Sequence, residues 1–344
     1  MSEEFRQPGF DAISAALERL YSGKKGLYYG TAIPYTLGGP DPLDGVEVFK
    51  NDSPFPHWHY VSFGFSDLDE KTAPGSEWSG YGFEMTFRLK REGDDPPVWP
   101  VNLMQNLARY VFDSGNVFGP GHHIDLNGPI MLEADTKLGA LGFFVDPELG
   151  EMDTENGRVV FLQAAALTVD EMQALMCWNG TAFLKLLEKA LPGHIADLSR
   201  RSVMERPEIR ETWQQGVDQD GSSTGFLYVD ELGWCRADSG WRLRLGAGHT
   251  GVIRTMLKAR VGKGQPLGLI GPDQGVSFVP GEKTEFSADE TELKVTLPET
   301  ALTELCGLLL PAAQTVRCDA APLWLDIVPT VIRDRDGNVK KVIQ

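Results

Sequence analysis

At 344 residues and 37.9 kDa the chain is about twice the ~100–200 residues of a usual domain, which predicts two domains. Hydrophobic residues at 42% and charged residues at 24% can build sizeable cores and exclude wholesale disorder. A formal net charge of -17 opposes binding to nucleic acid or anionic lipid, and the longest nearly apolar run, 159–169, falls short of the ~20 residues that cross a bilayer.

Helical spacing of Ile13, Ala16, Leu17 and Leu20 predicts a first helix over 10–21, ended by Gly23. Residues 29–44, YGTAIPYTLGGPDPLD, are dense in Gly, Pro and Asp and read as strand and turn. VEVFK, WHYVSFGFSDL and YGFEMTFRLKR then alternate like neighbouring strands of an antiparallel sheet. In the third, Phe83, Met85, Phe87 and Leu89 take one face and Glu84, Thr86, Arg88 and Lys90 the other. Leu103, Leu107 and Val111, with Met104, form a helical stripe suited to packing on that sheet. Residues 116–129, NVFGPGHHIDLNGP, read as a loop, followed by strands at 142–145 and 159–167. TVDE is a capping-box pattern opening a helix through Cys177, and a second helix covers 182–190. The polar stretch 200–225 reads as a linker, which places the domains at 1–220 and 221–344. Beyond it, WRLRL, ELKVTL and LWLDIVP are predicted strands, with helices at 251–261 and from Pro298. The expected class is α+β: an N-terminal mixed, mainly antiparallel sheet packed by helices, and a smaller C-terminal α+β domain.

The charge is uneven: residues 1–200 carry 15 basic and 29 acidic groups, against 17 and 20 in residues 201–344. A partner with a basic surface would be steered to the first part. The start MSEEFRQPGF has no basic region followed by an apolar one, so the expected location is the cytoplasm. Cys177, Cys235, Cys306 and Cys318 are far apart, with no CxxC pair, no GxSxG elbow and no Walker sequence nearby. His57 and His59 share one strand face and His122-His123 lies in the glycine-flanked loop. With Asp67 or Asp125 these are candidate metal ligands, and a hydrolase using His57, His59, His122 and Asp67 is the rival to a binding protein. Trp58, Tyr60, Trp78, Tyr81, Trp99 and Tyr110 concentrate beside the same loop. Core packing accounts for many of them, but Tyr110 falls off the helical stripe and is a candidate peptide anchor.

LGGPDPLDGVEVFKN, PHWHYVSFGFSDL, GYGFEMTFRLKRE, WPVNLMQNLARYVF and the later WNG with its leucine-rich helix together resemble the Suppressor of fused family, collinearly from Gly38 to Phe118. The resemblance implies two domains and a non-enzymatic protein that clamps an extended partner segment between them by strand addition, without a cofactor. It places the partner contacts at Tyr110, His122 and His123, with an acidic residue in relatives where this chain has His122. Compact bacterial relatives include immunity proteins that neutralise toxins inside the producing cell. The expected binding residues are therefore Tyr110, His122, His123, His59, Trp58 and Asp67, with no metal.

Overall fold

The computed structural model describes residues 6–238, 240–333 and 339–343; the first five residues of the start read as leaderless lie outside them. Two compact units emerge. The first runs to Met172 and takes in Thr181–Ile209, and the second comprises Gln173–Gly180 and the chain from Arg210 onward.

The first unit contains α1 (Pro8–Leu20), β1 (Leu27–Gly30), β2 (Gly45–Asn51), β3 (His57–Phe63), β4 (Trp78–Lys90), α2 (Trp99–Ser114), β5 (His123–Asp125), β6 (Leu138–Val145), β7 (Glu151–Thr154), β8 (Gly157–Thr168), the first turn of α3 (Val169–Cys177), and α4 (Gly180–Glu188) from Thr181 on. Its eight strands form one sheet in the order β1-β2-β3-β4-β8-β6-β5, with β7 paired to β8. Neighbours are antiparallel except β4 and β8, whose parallel pairing joins segments that periodicity alone cannot connect. The capping box holds at α3, where the Thr168 amide donates to Glu171 Oε2 at 2.9 Å.

Both faces of the sheet are buried. On one, Met104, Leu107, Ala108 and Val111 of α2 pack against Phe83, Met85, Phe87 and Tyr60. On the other, Ile13 and Leu17 of α1 and Tyr21 at its C-terminal end pack against Phe49, Val61, Phe63 and Phe161. Each such large side chain removed from water contributes about 1.5–3 kcal/mol. The polar face of β4 is therefore covered: Glu84, Thr86 and Arg88 are buried. They stay there because they are hydrogen-bonded. Glu84 accepts from the Gly64 and Ser66 amides and from the Ser62 and Ser66 hydroxyls, and burial still pushes its carboxyl above the ordinary range. Arg88 and the Thr86 hydroxyl donate to Asp146, and Arg88 also donates to Glu148 at 2.6 Å. Burial works against the Asp146 charge, yet His59, Arg88 and Thr86 hold its carboxyl far below the usual range.

Histidines complete this layer. His59 Nδ1 meets the Tyr21 hydroxyl at 2.6 Å, while its Nε2 lies 3.5 Å from Asp146. His57 Nδ1 sits 2.7 Å from the Phe55 carbonyl, which only accepts, so that nitrogen carries the proton. Burial lowers the His57 and His194 rings to about 4, keeping both neutral.

The second unit begins where a linker is expected. Residues 207–220 instead form α5 (Pro207–Asp220), of which only Pro207–Ile209 belong with the first unit. Its Gly216 looks like a breaker, but a Cβ there would stand 2.2 Å from the indole of Trp178, so the glycine permits close packing. Trp178 Nε1 donates to Asp220 at 2.8 Å. Two sheets follow. One orders β14 (Glu285–Ala288), β15 (Glu292–Leu297), β13 (Gly275–Pro280), β12 (Leu267–Ile270) and β9 (Phe226–Tyr228); the other orders β10 (Leu232–Ala237), β11 (Gly240–Gly246), β17 (Leu323–Val328) and β16 (Gln314–Cys318). They are accompanied by α6 (Thr250–Arg260), α7 (Glu299–Leu308) and the ribbon of β18 (Thr330–Arg333) with β19 (Val339–Ile343). Among the described residues no helix is long and apolar enough to cross a membrane.

Gly216→Ala should destabilise the protein by about 1–3 kcal/mol, because overpacking against Trp178 outweighs the ~1 kcal/mol of helix propensity gained; denaturant melts of the two proteins check this. Unfolding also exposes His57 and His194, which then bind protons near pH 6.5 rather than about 4. The unfolded state binds more protons in that window, so stability falls as pH drops through it, by about 1.4 kcal/mol per pH unit for each ring. The Asp146 contribution is present above its ordinary value of 3.8 and is lost only below it. Urea midpoints measured from pH 7 to 4.5 should decline accordingly, and His57→Gln should flatten the slope by one proton.

Candidate functional site

α2 begins with Pro100 in its first turn and stops at Gly115, which adopts φ +72°. Gln105 anchors the helix to the 37–44 turn: its side-chain amide exchanges two hydrogen bonds with the Leu43 backbone, each 3.1 Å. Arg109 grips the same turn through the Pro40 carbonyl and Asp41. With the buried stripe so fixed, Tyr110 points away from it and is 41% exposed. Its ring stacks on Phe118 at 5.8 Å, and Phe118 stacks on the fully buried Phe143 at 4.2 Å. A surface aromatic is thus held by a column of rings rooted in the core.

Beside this column the loop read from NVFGPGHHIDLNGP contains β5, which pairs antiparallel with β6. Three residues are too few to show a period, so no strand is predicted there. Gly121, at φ +83°, turns the chain so that its amide reaches Phe143 O at 2.7 Å. The Phe143 amide donates to His122 O and the Leu126 amide to Gly139 O. By the antiparallel alternation, the N–H and C=O groups of His123 and Asp125 then point away from β6, along a sheet edge that no other strand covers among the described residues. The His122 ring is exposed, whereas His123 is half-buried. Burial, with a smaller contribution from His122, lowers His123 to about 4, so the rim beside the edge is a neutral imidazole at physiological pH.

The other expected site residues lie elsewhere. Trp58 is buried in the α2 core with Tyr60 and Leu89, and His59 is buried on the opposite face, where Tyr21 and Asp146 occupy its ring; neither presents a surface to a partner. Asp67 is a loop organiser: its carboxylate accepts from the Thr72 amide and hydroxyl and from the Gly80 amide. The adjoining Leu68 carbonyl accepts from the Gly9 and Phe10 amides at the start of α1. The residues of the metal reading are not gathered into one cluster. His57 and His59 are enclosed, Asp67 is committed, and among the described residues no group of three or more His, Cys, Asp or Glu side chains is placed to hold an ion.

A family model for Suppressor of fused protein matches residues 39–201. The Suppressor of fused homologs of Homo sapiens and Mus musculus are each 39% identical over 235 residues, covering 62% of this chain and 48% of theirs. The chain thus spans about half the length of these relatives. Drosophila Suppressor of Fused shares the fold, with a TM-score of 0.77 at 22% identity over 93% of this chain and 97% of that one. A chain in the crystal structure of the Sufu-Fu complex is 32% identical, with a TM-score of 0.58, over 61% of this chain and 98% of that one. The residues matched by the family model include α2 and the β5 loop, and the chain belongs to the Suppressor of fused family.

Proposed function

We propose that the protein is a non-enzymatic, cytosolic binding module that sequesters a partner polypeptide, taking an extended segment as an added strand along β5. The observation that carries this reading is the free edge of β5 beside the rooted Tyr110 column. Main-chain pairing at His123 and Asp125 supplies affinity, and Tyr110, with the His122 and His123 rings, selects the side chains that alternate along the added strand. The Sufu-Fu complex supports a protein as partner.

The acidic character of residues 1–200 favours a client with a basic surface and speeds its encounter. A basic toxin neutralised within the cell that makes it has this property, and the immunity role is proposed on that ground.

Tyr110→Ala with His123→Ala should weaken client binding at least tenfold while leaving the melting temperature within a few degrees, since both side chains lie outside the core. Asp125→Pro removes an outward N–H at an edge where proline is tolerated, and should weaken binding comparably. Pull-downs from lysate of the source cells check both. A polypeptide retained equally by all three proteins would refute the site.

A further inference from the structure

A second surface stands out in the second unit, on the four-stranded sheet β10-β11-β17-β16. Leu243, Leu245, Leu323, Leu325 and Ile327 point to the core and are buried. The register places Cys235, Arg242, Trp324 and Arg317 in one row on the opposite face, with Arg244, Asp326 and Thr315 in the next. The guanidinium groups of Arg242 and Arg317, from the two strands that flank β17, each lie 5.8 Å from the centre of the Trp324 ring. Arg242, Arg244 and Arg317 remain 42, 58 and 50% exposed.

From this face we infer a docking surface for an acidic segment of a partner protein, separate from the β5 edge. Three features converge. Tryptophan and arginine dominate the energetics of protein interfaces, and here they share one row of a sheet face. The face is cationic in a chain whose net charge is -17. The acid within these two rows, Asp326, is already satisfied by Arg242 at 2.9 Å and by the Thr315 hydroxyl at 2.8 Å, while the acids of adjoining turns touch Arg244 and Arg317 only at 3.3 and 3.9 Å. Arginines so oriented and still exposed can donate to incoming carboxylates in bidentate fashion. A peptide is favoured over nucleic acid because the charge of the whole chain repels a polyphosphate, while a short acidic segment engages only this face.

Cys235 supplies the test. It is the exposed cysteine in the same row, whereas Cys177, Cys306 and Cys318 are buried, so a maleimide reports on this face. The rate of alkylation of the full chain is measured with a twelve-residue peptide of three Glu-Ala-Asp-Tyr repeats, with a lysine-substituted version, and with a twelve-nucleotide oligothymidylate. Saturating acidic peptide should slow alkylation at least fivefold at low salt, and less as salt is raised. Neither control should protect, and Arg317→Glu and Arg244→Glu, each checked for an unchanged melting temperature, should abolish the protection. No protection by the acidic peptide, equal protection by either control, or full protection in both variants would overturn the assignment.

Discussion

A sheet buried on both faces has no face to offer a partner, and this constraint orders the first unit. With α2 on one side and α1 on the other, the central strands contribute their side chains to two cores. What remains for recognition is the margin of the sheet, where main-chain donors and acceptors are still unpaired. β5 lies at that margin and is only three residues long, short enough to avoid the aggregation that a long exposed edge invites. The rings from Tyr110 to Phe143 give this short edge a rigid neighbour, so a segment added there would meet an anchor that need not be ordered on binding.

Burial on both faces requires the polar side of β4 to be satisfied internally. Arg88, Thr86, His59 and Tyr21 converge on Asp146 and its surroundings, joining α1, β3, β4 and the turn after β6. A buried charge network of this kind is weak evidence of added stability, since desolvation opposes the attraction between its members. Its effect is to fix position: removing one partner strands a charge, so the covering helix and the sheet hold a single arrangement. The tyrosine, histidine and aspartate in sequence resemble a catalytic relay, but their complete burial makes them a structural brace.

The main elements of the first unit were legible because burial imposes a period. The α2 stripe and the alternation in β2, β3 and β4 appear in the sequence, and Tyr110 could be picked out by its departure from the stripe. Alternation places Glu84, Thr86 and Arg88 on one face, but does not distinguish a polar face in water from one satisfied by a second layer. His59, Trp58 and Asp67 have the chemical types of a binding site, and type alone does not reveal that their polar atoms or rings are already committed. α5 escaped detection because Gly216 and a polar composition look like a linker until Trp178 is seen against it. The row of Arg242, Trp324 and Arg317 depends on a parallel pairing between strands about eighty residues apart, which local pattern does not encode.

The central claim, strand addition at β5, is tested most directly by amide hydrogen exchange on the client-bound protein. Pairing with an added strand should slow exchange of the His123 and Asp125 amides by at least tenfold, leaving the Ile124 amide, already directed at β6, little changed. Exchange at His123 and Asp125 that is unaltered by a saturating client would contradict the account.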